Sequence, residues 1–342
     1  MTDIEIIHIS PSGFYYWEKC PLKALFYYKY KGVKFFPVSP DANLGSIIHK
    51  FQEKKAEWNI NSEQIFEDFW SRKINNQNKK YLEDDLQKRF YPIQWNSSFY
   101  GVKKQLLKKQ LLKQQPLKTD TSESKLNFVF EDWIYDKVVG GYIDLQIKDE
   151  NDKVISIIDF KTGAIYEKNN KKLRIKEAYI MQLALYSYVV KQSQGFYPDL
   201  FLQNIKGEKI KIEIKEQQIE EYYNRAKKLK NKLLSAPTED SLAVVSEDNC
   251  TYCSYRPVCS KYLNNHINKL LKHSIDISGT ITDVNTQTAK ININNEIWLI
   301  NNIKLNNDKK GKYVKIFNLY CNDELFESHI TYETKYTIIK YE

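Results

Sequence analysis

The stretch that most constrains this chain is VGGYIDLQIKDENDKVISIIDFK, Val139 to Lys161, because it sets carboxylates into segments otherwise fit for burial. Val139, Gly141, Ile143, Leu145 and Ile147 alternate with Gly140, Tyr142, Asp144, Gln146 and Lys148. That is the period of a strand with one apolar face, so Asp144 is predicted to point away from that face. The polar cluster Asp149, Glu150, Asn151, Asp152 predicts a turn, and VISIIDFK a second, largely apolar strand with Asp159 and Lys161 on one face. Burying charge costs several kcal/mol unless the charge is paired or ligates a metal. Two explanations stay open. One is a strand-end salt bridge. The other is a divalent-metal site, with Asp144 and Asp159 as hard oxygen ligands for Mg²⁺ or Mn²⁺ and Lys161 orienting water or steadying phosphate charge.

The rest of the chain is long enough to surround such a site. Its 342 residues, 42% of them hydrophobic, allow a main domain with a real core plus a smaller one. The net charge of +9 is compatible with a polyanionic partner. No apolar run reaches membrane-spanning length, and the start MTDIEIIHIS lacks the basic region of a signal peptide. A cytoplasmic protein with no membrane partner is expected. Cys250, Cys253 and Cys259 cluster as C-x2-C-x5-C, with Cys20 far upstream and Cys321 beyond. In a cytoplasmic chain this pattern points to a metal or cluster over a disulfide, unrelated buried thiols being the plainer alternative.

Helical periodicity begins at about Pro11, with Phe14, Trp17, Leu25, Phe26 and Tyr28 predicted for a core and a turn at Cys20-Pro21. A second helix carries Ser46, His49 and Glu53 on one face. Residues 60–125 read as a helical insertion ending in a loop from Pro116, its basic face including Lys103, Lys104 and Lys108. KLNFVFEDWIYDK reads as the first strand of the core sheet, and EKNNKKLRIK, with Lys171, Lys172 and Arg174, as a basic loop. In the next helix Gln182 and Tyr186 share a face. Two strands around Lys206-Gly207 and a charged helix follow, and a domain boundary is placed at 274/275. Residues 275–342 read as five or six short strands, a small all-β barrel or sandwich of OB-like or SH3-like form. There Trp298, Phe317 and Tyr320 are core residues or base-stacking candidates, and Cys321 a buried thiol.

Gly141-x-x-Asp144, Asp159-Phe160-Lys161-Thr162-Gly163 and Gln182-x-x-x-Tyr186, in that order, resemble the core of the PD-(D/E)xK nuclease superfamily in its RecB-like branch, with Ile143 where the family name has proline. SPSGFYYWEKCPLKALFYYKY resembles the opening of the iron-sulfur members, such as the AddB nuclease domain and CRISPR-associated exonucleases. Gly45-x-x-x-His49 matches the motif that supplies a metal-binding histidine.

The resemblance implies a restriction-endonuclease-like α/β core, a mixed sheet flanked by helices, over roughly residues 8 to 262 of a 1–274 nuclease domain. It implies that His49, Asp144, Asp159 and the backbone carbonyl of Phe160 bind Mg²⁺ or Mn²⁺. Lys161 then positions the attacking water, while Gln182 and Tyr186 place that lysine or the nucleic acid. It implies that Cys20 joins Cys250, Cys253 and Cys259 around a [4Fe-4S] cluster acting as a staple; structural Zn²⁺ is the alternative for four thiolates. The implied substrate is DNA with a single-stranded portion, cut from an end in repair, CRISPR adaptation or phage defence. Lys103, Lys104, Lys108, Lys171, Lys172 and Arg174 are candidates to meet its backbone. No Gly-x4-Gly-Lys-Ser/Thr occurs, so a helicase partner or other defence or repair subunit would supply any unwinding. A non-catalytic DNA-binding scaffold and an endonuclease on duplex DNA or RNA are the competing readings.

Overall fold

The computed structural model of the protein describes residues 8–55, 60–84, 87–88, 91, 101–113, 126–169, 172–272, 274–301, 303, 305–320 and 337–341. Two compact units emerge. One comprises Met1–Tyr28, Ser39–Lys80 and Gln94–Pro237, the other Lys29–Val38, Tyr81–Ile93 and Thr238–Glu342.

In the first unit, α1 (Pro11–Lys19) opens on proline, whose missing N–H costs nothing in a first helical turn. It ends at Cys20, and α2 (Leu22–Lys29) follows the predicted Cys-Pro turn. Phe14, Trp17, Leu25 and Phe26 are buried as expected, whereas Tyr28 is half-buried, its hydroxyl donating to the His8 carbonyl. Ser39 caps α3 (Pro40–Lys54) by accepting from Ala42 N at 3.3 Å. Helices α4 (Glu63–Glu83) and α5 (Gly101–Lys113) supply the helical insertion. The loop expected from Pro116 lies outside the described residues.

Strands β1 (Asn127–Tyr135), β2 (Gly140–Lys148) and β3 (Val154–Lys161) form an antiparallel meander. The run expected as a basic loop folds instead into a hairpin, β4 (Tyr166–Asn169) with β5 (Lys172–Ile175), across which Arg174 binds Glu167 at 2.9–3.0 Å. A cross-strand ion pair offsets the basic charge that suggested a loop. Helix α6 (Glu177–Gln194) then crosses back so that β6 (Asp199–Asn204) lies parallel to β3, and β7 (Lys209–Lys211) pairs antiparallel at the edge. The result is a mixed sheet of order β1-β2-β3-β6-β7. Helix α7 (Glu216–Ser235) closes the unit, burying Ile219, Tyr222, Ala226, Leu229 and Leu233 along one stripe.

The two faces of this sheet carry separate cores. Ile143, Ile157, Leu200 and Leu202 pack with Leu183 and Tyr186 of α6, while Leu145, Ile158 and Phe160 pack with Phe130 and Ile147. Adjacent residues of one strand point oppositely, so Ile157 and Ile158 mark opposite faces. Ile143 and Leu145, expected on one face, therefore lie on two. The break is at Asp144. Phe130↔Leu145 and Asp132↔Ile143 are paired, but Glu131 and Asp144 between them are not, and Glu131 adopts a left-handed φ of 51°. Losing one rung lets the hairpin turn over at that point.

In the second unit, β8 (Ser274–Val284), β9 (Thr288–Ile293), β10 (Glu296–Asn301), β11 (Tyr313–Tyr320) and β12 (Thr337–Tyr341) form one antiparallel sheet, order β10-β9-β8-β11-β12. Its core is rich in isoleucine, including Ile277, Ile281, Ile291, Ile300 and Ile316. Trp298 packs against that core. Phe317, 1% exposed, packs with Phe36, Cys250, Tyr262 and Leu271, which removes it as a base-stacking candidate. The Tyr320 side chain and Cys321 lie outside the described residues. Short helices α8 (Glu239–Leu242), α9 (Glu247–Cys250) and α10 (Ser260–Asn265) flank the cysteine trio.

Candidate active site

Leu145 pairs with Phe130 on one side and with Ile158 on the other, and one residue further along each strand come Glu131 on β1, Asp144 on β2 and Asp159 on β3, none of them ladder-paired to another. The β2–β3 ladder stops at Leu145↔Ile158, and both aspartates stand just past it, where backbone groups are free to serve side chains. Phe160 N donates to Asp144 Oδ2 at 2.7 Å, and His49 Nδ1 lies 3.6 Å from the same oxygen. The group formed by His49, Glu131 and Asp144 brings one ligand atom from each within 4.8 Å of the others.

Asp159, Lys161 and Gln182 close a triangle. Gln182 Nε2 donates to Asp159 Oδ1 at 2.8 Å, Lys161 Nζ donates to Gln182 Oε1 at 3.0 Å, and Lys161 Nζ lies 2.6 Å from Asp159 Oδ2. The salt bridge considered for this strand end thus exists, inside the same cluster as the metal candidates. Tyr179 places its ring 4.3 Å from Lys161 Nζ. Tyr186, one turn after Gln182 on α6, donates to the Tyr142 carbonyl at 2.6 Å. A Cβ on Gly141 would stand 2.9 Å from Pro11 Cδ and 3.3 Å from the Tyr186 hydroxyl, so only glycine lets β2 pass there. A Cβ on Gly45 would already lie 3.2 Å from Thr162 Oγ1, which is how α3 brings His49 against the end of β3.

Electrostatics follow from burial. Asp159 is 2% exposed, and desolvation pushes its carboxyl up to about 6, with Lys161 opposing and the Asp144 charge adding to the rise. Burial works to lower the Lys161 ammonium, but the attraction of Asp159 outweighs it and the net shift is upward. Burial likewise opposes charging of His49, and the contact with Asp144 reverses it, again netting a rise. Burial and the Asp144 charge raise the Glu131 carboxyl.

The site opens into a cavity of about 640 Å³ lined by His49, Asp144, Asp159, Lys161, Gln182 and Tyr186, and also by Trp133 and Tyr142. A second cavity, about 590 Å³, shares His49 and is lined by Gly45, Lys50, Glu53 and Glu131. Glu53 is engaged by Lys50 at 2.7 Å and Lys54 at 3.1 Å.

Of the other predicted residues, Lys103 pairs with Asp41 at 3.0 Å, Lys104 with Glu67 at 2.5 Å, and Lys108 with Glu63 and Glu67. Lys172 is exposed, Arg174 holds Glu167, and Lys171 lies outside the described residues. Cys20 is buried at the end of α1 in the first unit. Cys250, Cys253 and Cys259 sit on one bend of the second, where Cys253 N donates to the Cys250 carbonyl at 3.0 Å. Arg256 donates to the carbonyls of Cys250 and Thr251, both at 2.7 Å. Sequence reasoning missed Glu131. Its signal was the register of the β1–β2 hairpin, which puts it opposite Asp144. Among the described residues no helix is long and apolar enough to cross a membrane.

A mixed sheet flanked by helices that gathers aspartates, a lysine and a histidine at one strand end defines a restriction-endonuclease-like fold. Residues 8–260 match the family model of the PD-(D/E)XK nuclease superfamily, and the chain belongs to that superfamily. Among solved structures it is similar to a crystal structure from Eubacterium rectale assigned as an exonuclease, at 12% identity and a TM-score of 0.42, covering 77% of this chain and 90% of that one. No curated protein matches it.

Proposed function

We propose that the protein is a Mg²⁺- or Mn²⁺-dependent deoxyribonuclease that hydrolyses phosphodiester bonds from an end in DNA with single-stranded portions. The observation that carries this reading is the meeting of His49, Asp144, Asp159 and Lys161 in one cavity, within the span that matches the superfamily. The donor set fits a hard divalent cation: carboxylates and one imidazole, with the buried Asp159 Oδ2 accepting no hydrogen bond among the described residues beyond its contact with Lys161. His49, Asp144, Asp159 and the Phe160 carbonyl would hold the ion, which would supply Lewis-acid chemistry toward the phosphate and a water of lowered pKa.

The chain's own groups do the rest. Phe160 N fixes Asp144 Oδ2 and with it the orientation of that carboxylate. Gln182 spans Asp159 and Lys161 and holds the ammonium at the cavity wall, where it orients the attacking water and offsets charge on the phosphate. Tyr186 fixes the backbone of β2 beside Asp144. In this reading Cys20, Cys250, Cys253 and Cys259 hold a [4Fe-4S] cluster as a staple, supported by the thiol donor set and by the Arg256 brace on the bend that carries three of them.

End-labelled and circular single- and double-stranded DNA, incubated with Mn²⁺, test the activity. The wild type is expected to degrade linear single strands from an end, and Asp159→Ala to leave them intact. If the wild type cuts nothing, or the variant cuts equally well, the reading fails. Anaerobic purification with iron and sulfide analysis tests the cluster; bound zinc without sulfide overturns it.

A further inference from the structure

The turnover of the β1–β2 hairpin at Glu131 and Asp144 has a second effect. Beyond that point the cores keep Ile134 and Ile143, and the opposite parity, which holds Trp133 and Tyr142, is turned out of the protein. Trp133 and Tyr142 face each other across the ladder, their ring centroids 4.9 Å apart and tilted by 58°. They are 42% and 57% exposed, while Gly141 and Ile143 on either side of Tyr142 are buried. His8 extends the row, 6.0 Å from Trp133.

Position gives this row a use. Tyr142 lies two residues before Asp144, about 7 Å along a strand, and both rings line the same cavity as Asp159 and Lys161. The support is stiff, because the Tyr142 carbonyl is held by Tyr186 and the neighbouring Gly141 is packed against Pro11. Exposed aromatic rings that line the same cavity suit a ligand with an open, flat π-face. In a duplex the faces of the bases are stacked on each other and closed to such rings; in a single strand they are open.

We propose that Trp133 and Tyr142 form a base-stacking subsite, which seats an unstacked base beside the carboxylates that would hold the metal ion, and so selects single-stranded DNA. This rests on the nuclease reading, and it can fail separately from it.

The test measures binding in EDTA, where binding is read without cutting, by fluorescence anisotropy of labelled oligothymidine and of an abasic strand of equal length. Wild type is expected to prefer the strand with bases. Trp133→Ala and Tyr142→Ala are expected to weaken that strand roughly 5- to 150-fold, the range for one base–aromatic stack. They should bind the abasic strand as wild type does, and Trp133→Phe should retain most of the affinity. Equal wild-type affinity for the two strands overturns the subsite, and this arm needs no variant to fold. Alanine variants that bind oligothymidine as wild type does overturn it too. Mn²⁺-dependent cutting without base preference defeats the subsite alone; base preference without any cutting defeats the nuclease reading and leaves the subsite standing.

Discussion

Arg256 and Asp276 form a fully buried ion pair in the second unit. They are 1% and 0% accessible, and Arg256 Nε lies 2.6 Å from Asp276 Oδ2. The same carboxylate accepts from the Tyr262 hydroxyl at 2.7 Å and from Asn318 N at 2.8 Å, while Arg256 reaches the carbonyls of the cysteine bend and stacks on Phe36, 4.9 Å from its ring centre. Asp276→Asn keeps the shape and removes the charge, leaving a buried guanidinium without its counter-ion. Breaking a buried pair in this way costs about 3–5 kcal/mol. At about 4 °C per kcal/mol for a unit of this size, the second unit should melt about 12–20 °C lower. Calorimetry measures it. Thiol labelling of the metal-stripped protein by Ellman's reagent reports the bend separately, and Cys250, Cys253 and Cys259 should react faster in the variant. Asp276→Asn combined with Arg256→Met should recover part of the loss, because no buried cation then remains. A melting temperature within about 2 °C of wild type for Asp276→Asn would rule out a stabilising pair, since at ~4 °C per kcal/mol it would then carry little.

Three further outcomes follow from the site. Gly141→Ala drives a Cβ to 2.9 Å from a rigid proline ring and should cost about 1–3 kcal/mol, with a larger loss of cutting than of Mn²⁺ affinity as Tyr186 is displaced; unchanged urea denaturation sinks it. Asp159 must be ionised and His49 neutral to ligate a cation, and both groups are raised, Asp159 to about 6. Mn²⁺ affinity measured by calorimetry should therefore climb as pH rises through that value, and a flat profile between about pH 5 and pH 8 contradicts the assignment. Lys161→Ala removes a positioned cation and should lower kcat roughly 10²- to 10³-fold while Mn²⁺ still binds; an equal loss of metal affinity would place the lysine in a merely structural role.

What the amino-acid order determined was local. Alternation marked β2 and β3, the Asp149–Asp152 cluster marked their turn, and helical spacing put Gln182 and Tyr186 on one face. Each depends on residues a few positions apart, whose geometry the backbone period dictates. The basic run 167–176 misled because charge density suggests a loop, whereas pairing between β4 and β5 lets Arg174 meet Glu167. Parity also misled at Ile143 and Leu145: alternation says which residues share a side of a regular strand, and a skipped rung at Glu131 and Asp144 reverses the sides.

Only the tertiary structure decided what converges. His49 meets Asp144 across 95 positions of chain, Glu131 joins them through hairpin register, and Trp133 and Tyr142 reach the surface through the turnover at that same point. Spacing along a chain carries no distance between separate elements. Packing of α3 and α6 against the sheet sets those distances, and it is there that the buried Asp159 finds its lysine and glutamine and Asp144 its histidine.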